Sequence, residues 1–165
     1  MNRPSSFSWR PATTLILTIG VAVLLIGLVI SYVIASFKPT TQVKMASGVY
    51  GLWIADTEAE RIQGLSGVKK LSPRDGLLMK FDSDSAWGIW MKDMETSIDI
   101  VWLDKNKKVI YIVKNASPET GTDVTYTPKS PARYVIELAA GSVDKSGINV
   151  GTVADFDETD AGDIW

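Results

Sequence analysis

Residues 15–35, LILTIGVAVLLIGLVISYVIA, run for 21 positions without a charge, and only Thr18, Ser31 and Tyr32 interrupt them with polar groups. In a helix rising 1.5 Å per residue this run reaches about 31 Å, the thickness of a bilayer's hydrocarbon core. A surface helix would carry a polar face, and a buried core helix is rarely apolar on every side for so long. The stretch therefore reads as a transmembrane helix over residues 13–37, after a short tail at 1–12. A cleavable signal peptide competes. Arg3 and Arg10 supply its basic start and Val33-Ile34-Ala35 a small-residue cleavage site, but a signal's apolar region covers only about 7–15 residues. Lysine and arginine divide two against two across the segment (Arg3 and Arg10, Lys38 and Lys44), so the positive-inside rule does not orient it. A short tail before a large C-terminal domain fits a signal anchor. The expectation is a single-pass protein of the cell membrane with its domain outside the cytoplasm.

From Lys38 onward the chain holds fifteen basic and nineteen acidic residues, a net −4. Such a balance excludes long-range attraction to nucleic acid or anionic lipid. The sequence has no cysteine and no histidine. That removes disulfides, thiolate nucleophiles, the commonest zinc ligands and Ser-His-Asp chemistry. No cofactor, phosphate loop or dinucleotide fingerprint is expected. Asp82-Ser83-Asp84-Ser85 lacks the further ligands of a calcium loop and reads as a solvated turn. Residues 38–47 read as a polar linker, 48–156 as one domain, and 157–165 as an acidic tail.

Within the domain the periodicity is that of strands. Strands are expected at 48–55, 76–81, 86–92, 97–104, 108–114, 133–140 and 148–156. A short helix is expected within 56–67, where Thr57 and Glu60 form a capping-box pattern and Gly64 or Gly67 would end it. Residues 97–114 fold back around Lys105-Asn106-Lys107 as a hairpin. Residues 115–132 are a long loop, functional or mobile. The fold class is mainly β: a compact sandwich or barrel-like domain with one or two short helices.

Four segments in order, ADTEAERIQGLSGVKKL, DGLLMKF, IWMKDMETSIDIVWLD and ARYVIELAAGSVDKSGINVGTV, resemble the DUF192 family of bacterial and archaeal proteins. The resemblance covers residues 48 to 155. It implies a compact β-sandwich-like fold with short helices, and no particular activity. Asp93 stands where the family commonly has asparagine, Ser97 where it has proline and Ser66 where it has methionine. The long loop lacks a cysteine that many members carry.

Two places offer candidate chemistry. In Trp87–Lys92, alternation puts Trp87, Ile89 and Met91 on a core face, and Gly88, Trp90 and Lys92 on the other. Trp90 beside Lys92, with Gly88 leaving space, is either packing or one wall of a ligand groove. Asp99 lies in an apolar strand and needs a partner if buried. Arg61, Lys92 and Arg133 are candidates, Arg133 first for its bidentate geometry. Two functions follow. One is a membrane-anchored binding module for an envelope glycan or peptide, using Trp90, Lys92, Asp99, Arg61 and Arg133. The other is a hydrolase or lyase with Asp93, Glu95 and Asp99 as acid/base groups. The second requires those carboxylates to converge on one pocket.

Overall fold

The computed structural model describes residues 11–35 and 40–157. Most of the expected N-terminal tail (1–10), the first part of the expected linker (38–39) and nearly all of the acidic tail (158–165) lie outside the described residues. Met1–Lys38 and Pro39–Trp165 form separate compact units.

The first unit contains helix α1 (Pro11–Ala35). Proline suits the first helical position, where its missing N–H would have no partner. The large apolar side chains from Leu15 to Ile30 are exposed. Side chains are described for residues 15–31, which cover about 25 Å of helix, less than a hydrocarbon core of about 30 Å. Among the described residues no helix is long and apolar enough to cross a membrane. The span expected over 13–37 extends past these side chains at both ends.

The second unit is built on one mixed sheet. Its strands are β1 (Thr40–Met45), β2 (Gly48–Ala55), β3 (Asp75–Ser85), β4 (Ile98–Leu103), β5 (Val109–Ala116), β6 (Ala132–Ala139) and β7 (Ala154–Asp155). They lie in the order β5-β4-β6-β3-β2-β1-β7. Only β2 and β3 pair in parallel, Trp53 opposite Leu77. A parallel pair needs a crossover, and helix α2 (Glu58–Gln63) lies within it. The capping box forms as expected. Thr57 Oγ1 accepts from the Glu60 backbone N–H, and Glu60 Oε2 accepts from the Thr57 backbone N–H at 3.0 Å. These Thr57 bonds hold the Glu60 carboxyl below its ordinary range. Gly64 closes the helix with φ +51, a conformation that suits glycine. A third helix, α3 (Ser142–Ser146), follows β6.

The sheet curls until its two edges meet at one corner. Val109 N donates to Thr152 O at 2.8 Å, Gly151 N to Val109 O at 2.8 Å and Ala154 N to Lys107 O at 2.9 Å. The result is a half-barrel made from one sheet, not the two stacked sheets of a sandwich. Its inner face holds Val43, Leu52, Leu78, Val101, Ile136, Leu138, Val143 and Phe156. Its outer face carries a second core of Leu65, Leu77, Met79, Ile89, Met91, Ile100, Trp102 and Val135. Covering on both faces explains why every residue of β4 is buried.

Four expected boundaries change. Residues 40–45 are a strand and not a linker, because Thr41, Val43 and Met45 alternate into the core along β2. Residues 82–85 continue β3 and do not form a loop. Residues 86–92 form no named strand. They turn away from the sheet and bond to the long loop, through a bridge of Ile89 to Tyr126 and from Met91 N to Gly121 O at 2.9 Å. The last strand shrinks from 148–156 to the two residues of β7. The hairpin of β4 and β5 stands as expected, with Asp104 Oδ1 accepting from Asn106 N at 2.8 Å and Lys108 N at 3.0 Å.

The placement of β1 is testable by denaturant unfolding. Val43→Ala removes a fully buried side chain and is expected to cost about 1–3 kcal/mol. Lys44→Ala, on the exposed side of the same strand, is expected to stay within about 0.5 kcal/mol. Equal, negligible effects would return these residues to a linker.

Candidate functional site

A pocket of about 420 Å³ opens on the outer face of the sheet. That volume lies at the small end of the range for ligand sites. Its walls come from α2 and the Gly64-Leu65-Ser66 turn, from Met79 and Phe81 of β3, and from residues between Trp87 and Met94. Glu137 of β6 completes it.

Arg61 ties one rim together. Its guanidinium donates to the carbonyls of Asp56 and Lys80, the latter at 2.7 Å, so α2 is bound to β3. The same group stacks 5.0 Å from the Phe81 ring centre. Phe81 in turn stacks on Trp87 at 4.2 Å with the rings 10° apart. A further tie comes from Ser66 Oγ, which donates to Lys92 O at 2.8 Å, and from Gly67 N, which donates to Asp93 O at 2.8 Å. Below, Trp102 Nε1 donates to Trp87 O at 2.8 Å and fixes the segment on the core. The pocket is thus held by hydrogen bonds around an apolar, aromatic interior.

Glu137 is the exception in that interior. It is only 3 % exposed, and its Oε2 is buried with no hydrogen-bond partner. Register explains its position. Glu137 lies opposite Leu77 and Ile100, both in the outer core, so its side chain shares their face. A buried carboxylate without a partner is costly, and burial pushes the Glu137 carboxyl up to about 8. Oε2 lies beneath the Gly64 turn: a Cβ at Gly64 would sit 3.7 Å from it. Glu137 is not among the candidates that the sequence pattern singles out. The signal was available, since one carboxylate stands among Val135, Ile136 and Leu138.

Of the sequence-derived candidates, Arg61 and Trp90 line the pocket. Trp90 is 44 % exposed. Gly88 does not leave free space beside it, because a Cβ there would meet Thr125 Cγ2 at 2.7 Å. Lys92, Asp93 and Glu95 are exposed and lie outside the pocket's lining. Asp99 is fully buried and faces the inner side of the sheet with Val101 and Leu103. Its partners are not cations. Oδ1 accepts from Asn115 N and Oδ2 from Val143 N, each at 2.9 Å. Two charge-assisted backbone bonds replace the expected arginine. Arg133 pairs instead with Asp84 at 2.6 Å. The carboxylates proposed for catalysis therefore do not converge: Asp99 is on one face of the sheet and the pocket is on the other.

These features define a small curled β domain with one pocketed, aromatic-walled face. The chain belongs to the DUF192 family, described as "Uncharacterized ACR, COG1430", which it matches over residues 40–156. It is similar to the UPF0127 protein of Thermococcus gammatolerans, 30 % identical over 107 residues, 65 % of this chain and 67 % of that one. It is 28 % identical over 107 residues to the UPF0127 protein of Thermococcus kodakarensis, where the match spans 65 % of each chain, just under two thirds of that relative's length. Among solved structures, a protein of unknown function from Novosphingobium aromaticivorans aligns with a TM-score of 0.65 at 23 % identity, covering 70 % of this chain and 83 % of its own. A candidate transcription regulator from Sinorhizobium meliloti 1021 aligns with a TM-score of 0.68 at 22 % identity, covering 72 % and 95 %. At these identities the likeness is one of fold.

Two measurements check the site. The stability that protonated Glu137 contributes is complete below its ordinary value of 4.5 and is lost as pH rises through about 8. Glu137→Gln cannot ionise, so its Tm is expected to exceed that of the wild type by a margin that widens between about pH 5 and pH 8 and then levels off. A margin independent of pH would contradict the assignment. Asp99→Ala strands two backbone N–H groups and is expected to cost about 2–4 kcal/mol. Arg133→Ala, losing only a partly exposed pair, is expected to cost less than about 1 kcal/mol. The reverse order would restore the arginine as the partner of Asp99.

Proposed function

We propose that this chain is a membrane-anchored binding module. Residues 13–37 hold it in the cell membrane as a single pass, with the β domain on the extracytoplasmic side. There it takes the apolar part of an envelope peptide or glycan into the pocket beneath α2. The uncharged run from Leu15 to Ala35 supports the anchor, as do the exposed apolar side chains from Leu15 to Ile30, which no polar face accompanies.

The observation that carries the binding role is the pocket itself: an aromatic and aliphatic interior entered beside the exposed indole of Trp90. Large aromatic side chains left partly exposed at a concave apolar surface favour ligand contact. Asp93, Glu95 and Asp99, the groups a carboxylate-dependent hydrolase would use, lie outside its lining.

The full chain in nanodiscs, titrated with envelope-derived peptides and glycans by calorimetry and NMR, tests this reading. A bound ligand is expected to shift the Trp90 indole resonance, and Trp90→Ala is expected to weaken binding about tenfold, near 1.4 kcal/mol. Affinities untouched by Trp90→Ala for every ligand that binds would refute the pocket. Release of the chain from membranes by alkaline carbonate would refute the anchor.

A further inference from the structure

The pocket holds one group that its own walls do not need. Glu137 Oε2 is buried, unpaired and set beneath the Gly64 turn. The charged side chains that share the lining with it are Glu58 and Arg61, both from α2. Residues lining the pocket from β3 and from the Trp87–Met94 segment carry no charge. Glu58 is exposed at the rim. Arg61 is committed elsewhere, its guanidinium held by two backbone carbonyls and stacked on Phe81. Among the described residues no cation pairs with this acid in its apolar pocket, so its Oε2 is free to accept from a donor on a ligand.

The walls indicate which donor. Phe81, Trp87 and Trp90 present aromatic surface, and Met79 and Met94 add polarizable thioethers. Aromatic faces attract cations and repel anions, and thioethers are adaptable contacts for an alkyl chain. A volume of about 420 Å³ accommodates a short chain and not a folded segment.

We infer that the buried end of the ligand is a primary ammonium on a short alkyl chain, as in a lysine side chain of an envelope peptide, and that it pairs with the Glu137 carboxylate. This rests on the pocket being a binding site. The proton balance is simple. The ammonium enters charged, the Glu137 carboxyl releases its proton to solvent, and an ion pair remains in the apolar floor. Because the free carboxyl holds its proton up to about pH 8, proton and ammonium compete. Affinity then falls as pH drops below that value, approaching about tenfold for each pH unit once the carboxyl is mostly protonated. The pair is desolvated, so removing the acid removes the reason for the cation to enter.

The test uses the full chain in nanodiscs with two soluble probes, Nα-acetyl-lysine methylamide and its norleucine counterpart. The norleucine probe has the same butyl chain without the ammonium. At about pH 8 the lysine probe is expected to bind at least about tenfold tighter than the norleucine probe. Its affinity should weaken about fivefold on going to pH 7, with about half a proton released per probe bound at pH 8 and close to one at pH 7, read from calorimetry in buffers of different ionisation enthalpy. Glu137→Gln should erase the preference for lysine and the pH dependence of lysine-probe binding. If both probes bind alike and neither responds to pH or to Glu137→Gln, the ammonium inference is overturned while the pocket stands. If neither probe binds or shifts the Trp90 indole, this inference falls together with the pocket for side chains of this kind. The comparison of probes on the wild-type chain decides the matter even where a variant misfolds.

Discussion

The central strands of this domain are covered on both faces, and the rest of the structure follows from how the chain meets that constraint. Curling brings the edge strands β5 and β7 together at one corner and closes an inner core. The outer face must then be covered separately. The stretch after α2, through Leu65, Val68 and Leu71, the Trp87–Met94 segment and the long loop do this. Two carboxylates sit on strands buried in this way. On the inner face Asp99 is satisfied by backbone N–H groups of Asn115 and Val143 and so ties β4 to the end of β5 and the start of α3. On the outer face Glu137 receives no bond at Oε2. The same kind of residue in the same kind of strand is structural in one place and available in the other.

That contrast also marks the limit of what the residues disclosed. The β4–β5 hairpin, β6, β2 and the capped helix are legible because their signals are local: alternation, a capping box, a glycine stop. Strand β1 was hidden because threonine, glutamine and lysine dominate its composition, although Thr41, Val43 and Met45 alternate correctly. Segment 86–92 misled in the opposite sense. Its alternation is real, with Ile89 and Met91 buried and Trp90 and Lys92 exposed, but it packs as a cover over the sheet and pairs with the loop at Tyr126. Gly88 fits that role, since Thr125 fills the space a side chain would need.

The site was only half visible. Arg61 and Trp90 were drawn from sequence and meet in one pocket. Arg133 was matched to the wrong acid, because the donors that satisfy Asp99 are backbone groups 16 and 44 residues further along the chain. No local pattern announces such donors. Glu137 stands in an apolar strand, but only the sheet register shows that it shares a face with Leu77 and Ile100, and among the described residues its Oε2 has no partner. Membership of the DUF192 family defines the fold and leaves the ligand to be argued from this pocket.

The central claim is that Glu137 remains an unanswered acid in the ligand-free chain. The most direct measurement is the titration of its side-chain carboxyl carbon by NMR in the full chain without ligand. A midpoint near pH 8, far above the ordinary 4.5, is the predicted result. A midpoint at the ordinary value would mean that the carboxyl is solvated or paired, and it would contradict the account of the pocket.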